Sequence, residues 1–278
     1  MVTTEDIRAA VRALGLSGKA LCVHSSLSSF GWVDGGAATV VGGFLAEGCT
    51  VMAPTFSWSF AVPAPGHLRF PRNASECDAF EEPKLGIGRI YTPDTLEIDK
   101  AEMGAIPAFI VTMPGRVRGN HPLCSFSAVG PRARELVAGQ APLDVYAPLE
   151  ALVEVNGWIV LVGVGLEKLT FLHLAEKAAG RNLFRRWANG IDGQVLTVEA
   201  GGCSGGFRKF SPSLRHLTVN RKVGKSRWRV FPAQAALQAA VEAIRQDPRI
   251  THCGHPQCER CNDAVRGGPI LDGRINEV

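Results

Sequence analysis

The chain has 278 residues, 46% of them hydrophobic and 20% charged. That length supports one large domain or two small ones around a sizeable core, and the balance excludes disordered, collagen-like and coiled-coil classes. A formal net charge of +4 permits binding of anions, but only a concentrated basic patch argues for nucleic acid.

In chain order, residues 3–14 place Ile7, Ala10, Val11 and Leu14 at helical spacing behind capping threonines, which predicts an amphipathic helix. Residues 20–24 read as a buried strand. A loop of small residues follows, then Ala37, Val40, Val41, Phe44 and Leu45 at helical spacing, then a second apolar strand at 49–53. Strand, helix and strand form a βαβ unit, which predicts parallel strands with a site at their carboxyl ends. From 56 to 96 periodicity fails among prolines, aromatics and acids, the composition of a functional loop. Regular structure resumes at 106–113, with a strand predicted at 123–129 and short helices at 131–138 and 148–155. Residues 158–164 make the clearest buried strand, followed by helices at 169–179 and 231–245. No apolar run approaches the roughly 18 residues of a membrane span, and residues 1–20 have no secretory apolar region. A cytoplasmic protein without a membrane partner is expected.

Several side-chain groups have chemical potential. The loop Ser25–Gly31 with Gly35 and Gly36 offers hydroxyls and backbone N–H groups at a helix start, where anions bind, but it is neither a Walker loop nor a dinucleotide fingerprint. On helix 169–179, Thr170, His173 and Glu176 recur every three residues and project from nearly one face. A His with a carboxylate three residues on is either a general base with its orienting partner or a capped structural histidine. His121 reads as a loop histidine fixing a turn. Cys203, in a Gly-Gly-Cys-Ser-Gly-Gly turn, is either a nucleophile or a structural thiol. Eight cysteines do not form a disulfide framework, so reduced thiols are expected. At the C-terminus Cys258 and Cys261 have C-x-x-C spacing, and Cys253 with His255 or His252 completes a four-ligand set for a structural zinc ion; the alternative is a free-thiol loop. The basic run Arg221, Lys222, Lys225, Arg227 and Arg229 has Trp228 as its only interleaved aromatic and reads as a solvated loop or hairpin face.

Five ordered motifs, from about residue 3 to 265, resemble the antibiotic N-acetyltransferase family, best known for aminoglycoside 3-N-acetyltransferases. They are His24-Ser25-Ser26-Leu27-Ser28-Ser29-Phe30-Gly31 with Gly35-Gly36-Ala37; Val51-Met52-Ala53-Pro54-Thr55; Arg118-Gly119-Asn120-His121-Pro122; Ser125-Phe126-Ser127-Ala128-Val129-Gly130; and Thr170-Phe171-Leu172-His173-Leu174-Ala175-Glu176. The resemblance implies one α/β domain over 1–278 with a Cys/His-rich segment at about 250–265. Its fold would be a mixed central sheet flanked by helices, distinct from the GCN5-type acetyltransferase fold. It implies acetyl-CoA as cosubstrate and an aminoglycoside as acceptor, acetylated at an amine such as the 3-amino group of the deoxystreptamine ring.

On the same resemblance Ser25, Ser26, Leu27, Ser29, Gly31, Gly35 and Gly36 cradle the cofactor, with Ser125, Phe126 and Ser127 nearby. His173 matches the catalytic histidine, Thr170 a residue supporting the oxyanion and Glu176 the closing acid. The chain departs from the family pattern at Asp144–Pro148, at Gly201–Phe207 and at Leu166-Glu167, segments that bear on the acceptor side. A polycationic acceptor needs concentrated carboxylates; Glu76, Asp78, Glu81, Glu82, Asp94, Glu97 and Asp99 supply them, and Trp58, Phe80 and Tyr91 are available to stack on sugar rings. Two other readings compete: a Cys203-dependent ping-pong acyltransferase, and a nucleic-acid-binding module built from the basic patch and a zinc knuckle. The second leaves the first two hundred residues without a purpose, so no nucleic-acid partner is expected. The oligomeric state is not read from the sequence.

Overall fold

The chain opens as the pattern predicts. Helix α1 (Thr4–Ala13) starts at a reciprocal capping box, in which the Thr3 hydroxyl accepts the Asp6 N–H (3.3 Å) and the Asp6 carboxylate accepts the Thr3 N–H (2.8 Å). Strand β1 (Ala20–Ser25), helix α2 (Gly36–Ala46) and strand β2 (Thr50–Pro54) form the βαβ unit, β1 and β2 running parallel with Ala20 opposite Thr50. Residues 1–74 and 88–272 are described by the computed structural model.

The remaining elements are α3 (Lys100–Met103), α4 (Ala105–Thr112), β3 (Val117–Arg118), β4 (Phe126–Val129), α5 (Ala133–Val137), α6 (Ala147–Glu154), β5 (Trp158–Val162), α7 (Phe171–Ala178), β6 (Phe184–Asn189), β7 (Val195–Ala200), α8 (Ser211–Leu214), β8 (Val219–Val223), β9 (Ser226–Pro232), α9 (Ala233–Gln246) and α10 (Glu259–Val265). Seven strands make one mixed sheet in the order β3-β4-β2-β1-β5-β9-β8. β1 lies parallel to both β2 and β5, and the outer pairs are antiparallel.

Alternating side chains of the central strands feed two cores. Leu21, Val23, Val51, Ala53, Val160 and Val162 pack with α1, α2 and α4 on one face. Cys22, Met52, Ile159, Leu161 and Phe231 pack with α5, α6, α7 and α9 on the other. Covered on both sides, these strands need near-continuous apolar runs, which is why they stand out in the sequence. The expected mixed sheet flanked by helices is therefore observed.

Three local expectations are corrected. Phe231 is the penultimate residue of β9, and α9 begins only after Pro232, whose ring disfavours the helical region for Phe231 before it. The strand predicted at 123–129 starts at Phe126. The stretch from 56 to 96 is not wholly irregular: Trp58–Phe60 and Gly66–Leu68 are 3₁₀ turns, and isolated bridges join Ala61 to Ala188 and Ile90 to Asn189. The basic run lies on the β8–β9 hairpin, as a hairpin-face reading requires. Among the described residues no helix is long and apolar enough to cross a membrane.

Candidate active site

The carboxyl ends of β1, β2 and β5 open into a cleft of about 1620 Å³, larger than the roughly 300–1,000 Å³ that one drug-sized ligand occupies. Its walls are the segment after β1 (Ser25 to Ser28, Gly31, Gly35, Gly36), the segment after β2 (Phe56, Trp58) and the residues after β5 (Val164, Thr170, His173). Gly201, Gly202 and Ser204 complete it beyond β7. This is the edge at which parallel strands with crossover helices place ligands.

His173 sits in the first turn of α7, buried between aromatic rings. Tyr146 stacks on it at 6.2 Å and Phe207 meets it edge-on at 4.7 Å. Its Nδ1 lies 2.7 Å from Glu176 Oε2, the i,i+3 geometry expected from the spacing. The other oxygen, Oε1, accepts from Arg181 at 2.7 Å, and Arg181 also donates to Thr251 Oγ1 (2.8 Å) and the Pro248 carbonyl (2.6 Å). A carboxylate held by a buried guanidinium is the natural acceptor for Nδ1–H, which leaves Nε2 with its lone pair. Thr170, half-buried just before α7, lines the cleft, and its carbonyl accepts the His173 N–H (2.9 Å).

The residues expected around a cofactor divide into two groups. Ser25, Ser26, Leu27, Gly31, Gly35 and Gly36 line the cleft. Ser26 and Ser28 hydroxyls lie 3.0 Å apart, and Ser25 Oγ is enclosed without a hydrogen-bond partner. Ser29 is a correction: its hydroxyl donates to the Ser26 carbonyl (2.6 Å), lies 2.8 Å from Ser226 Oγ and borders a separate cavity of about 490 Å³ beside the β8–β9 hairpin. Ser125, Phe126 and Ser127 are a second correction. All three are fully buried and none lines the cleft. Ser125 Oγ donates to the Thr55 carbonyl and accepts from Arg118 Nε, each at 3.0 Å. Ser127 Oγ pairs with Thr55 Oγ1 (2.9 Å), and Phe126 packs edge-on against Phe56. The Ser125 hydroxyl helps to satisfy the buried Arg118, whose interior position demands such partners.

On the acceptor side, Trp58 and Asp99 line the cleft together, with Asp99 Oδ2 accepting the Trp58 N–H at 2.7 Å. Tyr91 is corrected: it is buried, its hydroxyl donates to the Gly119 carbonyl (2.6 Å), and its ring packs on Phe60 and beneath the Arg118 guanidinium, so no face is free for a sugar. Glu97 is engaged by Arg89 and Ser59. Glu76, Asp78, Phe80, Glu81 and Glu82 lie outside the described residues.

His121 is a structural histidine: Nε2–H donates to the Glu199 carbonyl (2.8 Å), Nδ1 accepts the Cys124 N–H (2.9 Å), and burial lowers its pKa to about 4. The metal set needs a correction. His255 is exposed, and both ring nitrogens of His252 are engaged by Asn262 and the Gly254 N–H. The fourth group beside Cys253, Cys258 and Cys261 is Cys203, whose thiol the hydrogen bond from Cys261 holds well below the ordinary range. Its sulfur faces that cluster and does not line the cleft, unlike Gly201, Gly202 and Ser204 on either side, which removes the basis for a Cys203 nucleophile.

Sequence reasoning gave no role to four contributors to the site, although Tyr146 and Glu167 lie in two of the segments where the chain departs from the family pattern. Arg181 lies five residues beyond Glu176, past the end of the last motif, and the burial that lifts the Tyr146 hydroxyl well above the usual phenol range has no local signature. Glu102 and Glu167 also line the cleft, Glu102 standing alone on a polar four-residue helix.

Residues 22–245 match the family model described as aminoglycoside 3-N-acetyltransferase. Aminoglycoside N(3)-acetyltransferase IX of Micromonospora chalcea is 34% identical over 186 residues, covering 64% of this chain. The matched region spans only 63% of that relative's length. Among solved structures, a mutant of aminoglycoside acetyltransferase AAC(3)-IVa in complex with a gentamicin superposes with a TM-score of 0.74 at 23% identity, over 96% of this chain and 97% of the other. The AAC-IIIb binary structure with CoASH does so at 0.69 and 22%, over 88% and 96%. At these identities the likeness is one of fold.

Proposed function

The chain belongs to the aminoglycoside 3-N-acetyltransferase family, and from that premise we propose that it transfers the acetyl group of acetyl-CoA to an amine of an aminoglycoside, the 3-amino group of the deoxystreptamine ring, by direct attack in a ternary complex. The observation that carries this reading is the buried relay Arg181, Glu176, His173 ending in the wall of a cleft roomy enough for two ligands.

An amine is protonated near neutral pH and must lose a proton to attack. His173 Nε2 accepts that proton as the nitrogen adds to the thioester carbonyl, and Glu176, fixed by Arg181, stabilises the imidazolium that forms. Negative charge develops on the carbonyl oxygen of the tetrahedral intermediate. The Thr170 hydroxyl and nearby backbone N–H groups oppose it. Collapse breaks the C–S bond, the thiolate takes the proton held by the His173 imidazolium and leaves as CoASH, and the new amide nitrogen releases its extra proton to solvent, which returns His173 to its neutral form. The gentamicin and CoASH complexes of fold relatives support the two ligand classes. The loop Ser25 to Ser28, with Gly35 and Gly36 at the start of α2, suits the cofactor because hydroxyls and a helix start favour an anionic ligand.

Incubating the protein with acetyl-CoA and a panel of aminoglycosides and simple amines, read by mass spectrometry, tests the acceptor; mono-acetylated aminoglycoside is expected. His173→Ala is expected to lower kcat by about 100-fold or more with little change in acetyl-CoA affinity. Turnover close to the parent's in that variant removes His173 from the mechanism, and an acetylated enzyme trapped with acetyl-CoA alone replaces direct attack with a covalent route.

A further inference from the structure

We propose that Cys203, Cys253, Cys258 and Cys261 bind one Zn²⁺ as a tetrathiolate site, and that the ion fixes the wall of the cleft that packs on His173. The four sulfurs come from two separate stretches of chain, Cys203 in the segment after β7 and Cys253, Cys258 and Cys261 around the start of α10, and lie within 4.8 Å of one another. A tetrahedral zinc with Zn–S bonds of about 2.3 Å places its sulfurs about 3.8 Å apart, so small side-chain adjustments close the site. All four are free thiols. Four sulfurs without a carboxylate select a soft or borderline ion over calcium or magnesium.

The surrounding backbone is arranged for charged sulfur. The N–H groups of Cys253, Gly205 and His255 donate to Cys261 Sγ (3.3 Å), Cys203 Sγ (3.4 Å) and Cys253 Sγ (3.5 Å); such donors stabilise thiolate ligands and orient them. Cys258 is the residue just before α10 and Cys261 lies in its first turn, at the positive end of the helix. Glycine is required at two neighbours. Gly254 has φ +94°, the left-handed region, directly after Cys253. A Cβ on Gly205 would sit 2.8 Å from Cys253 Cβ.

The position gives the ion a task. Cys203 follows Gly201 and Gly202, which line the cleft, and precedes Ser204, which also lines it; Arg260, between two of the cysteines, reaches the same wall. Phe207, on the same loop, meets the His173 ring at 4.7 Å. Anchored through Cys203, this loop holds its place against the imidazole. That second half of the proposal rests on His173 being the base; the metal site itself does not.

The untagged full chain, expressed with zinc supplied, is expected to carry about one zinc per chain by elemental analysis, the stoichiometry of a closed structural site. Cys203→Ser is expected to lose most of it, and His255→Ala to keep it. Should Cys203→Ser fail to fold, Co²⁺ titration of the metal-stripped parent decides: tetrahedral cobalt–thiolate absorption saturating at one equivalent supports the site. A metal-free chain, iron in place of zinc, or full zinc in a folded Cys203→Ser overturns it. Metal removal should also lower kcat by about 10-fold or more while acetyl-CoA KM stays within about 2-fold, the pattern of a misplaced catalytic group; equal kcat with and without metal overturns the positioning role. Zinc content is read without substrate, so a zinc-loaded chain that acetylates no aminoglycoside sinks the proposed function and leaves the metal site standing.

Discussion

Gly201 lies so close to the His173 ring that a Cβ built on it would come within 2.6 Å of Cδ2, against the 3.4 Å at which ordinary contact begins. The same atom would press on the Tyr146 hydroxyl, which is hydrogen-bonded to the Gly201 backbone. Neither ring can retreat, since His173 is tied to Glu176 and flanked by Phe207. Gly201→Ala is therefore expected to displace the imidazole by a substantial fraction of an ångström and to lower kcat by about 100-fold, as misplacing a reacting group by about 1 Å does. Steady-state kinetics check this, and an unaltered kcat shows that the ring tolerates the shift.

Arg181 and Glu176 form a buried ion pair on which the orientation of His173 depends. Arg181→Ala leaves a buried carboxylate without its cation and is expected to cost about 3–5 kcal/mol of stability, read as a lower urea midpoint at unchanged slope. Glu176→Gln keeps the shape but removes the charge opposing the imidazolium. It is expected to lower kcat by at least about 10-fold, since the neutral amide no longer supports proton acceptance at Nε2. Parent-like kcat in Glu176→Gln makes the pair purely structural.

His121 is neutral in the fold because burial pushes its pKa from the ordinary 6.5 to about 4. In the pH window between those values the unfolded chain binds the proton and the folded chain does not. Stability is thus full above pH 6.5 and is lost as the pH falls toward 4, by on the order of 3 kcal/mol. His24 carries the same lowering to about 4 and adds to the slope. In His121→Asn, which retains an acceptor and a donor, denaturation from pH 7 to 4 is expected to show a shallower loss than in the parent. Parallel curves contradict a neutral buried imidazole.

The central strands are legible in the sequence because a strand covered on both faces must be apolar throughout, as Val51 to Ala53 and Ile159 to Val162 are. β6 is not, because Arg185 and Arg186 interrupt it. Arg185 is buried against Glu199, its cross-strand partner on β7 at 3.2 Å, and the Leu183 carbonyl, and no local pattern announces the pairing with Glu199. His173 and Glu176 are legible for the opposite reason, since three-residue spacing on a helix fixes their contact locally. The serines at 125 and 127 mislead because the same hydroxyls suit a ligand or a buried polar network, and only the packing of Arg118 on Ser125 and of Thr55 on Ser127 decides between them. Cys203 escapes because its three sulfur neighbours lie in a different stretch of chain.

The acceptor side carries the last expectation. A polycationic antibiotic is attracted by carboxylates that remain free to meet it. Asp99 accepts the Trp58 N–H and Glu97 is held by Arg89, whereas Glu102 and Glu167 line the cleft, one in the chain segment after β2 and the other in the segment after β5. Lys100 and Lys168 line it too, so the local field depends on those two acids outweighing adjacent cations. Replacing both by Gln is expected to raise the aminoglycoside KM about 5-fold at low ionic strength and to leave it nearly unchanged toward 1 M salt, where the screening length falls to about 3 Å. The acetyl-CoA KM should not rise in either condition, because losing negative charge does not weaken an anionic ligand. Glu76→Gln with Asp78→Asn, made in parallel, tests the acids that the sequence alone offers. If that pair raises the aminoglycoside KM and the Glu102 and Glu167 pair does not, the antibiotic is met by Glu76 and Asp78 and not by Glu102 and Glu167.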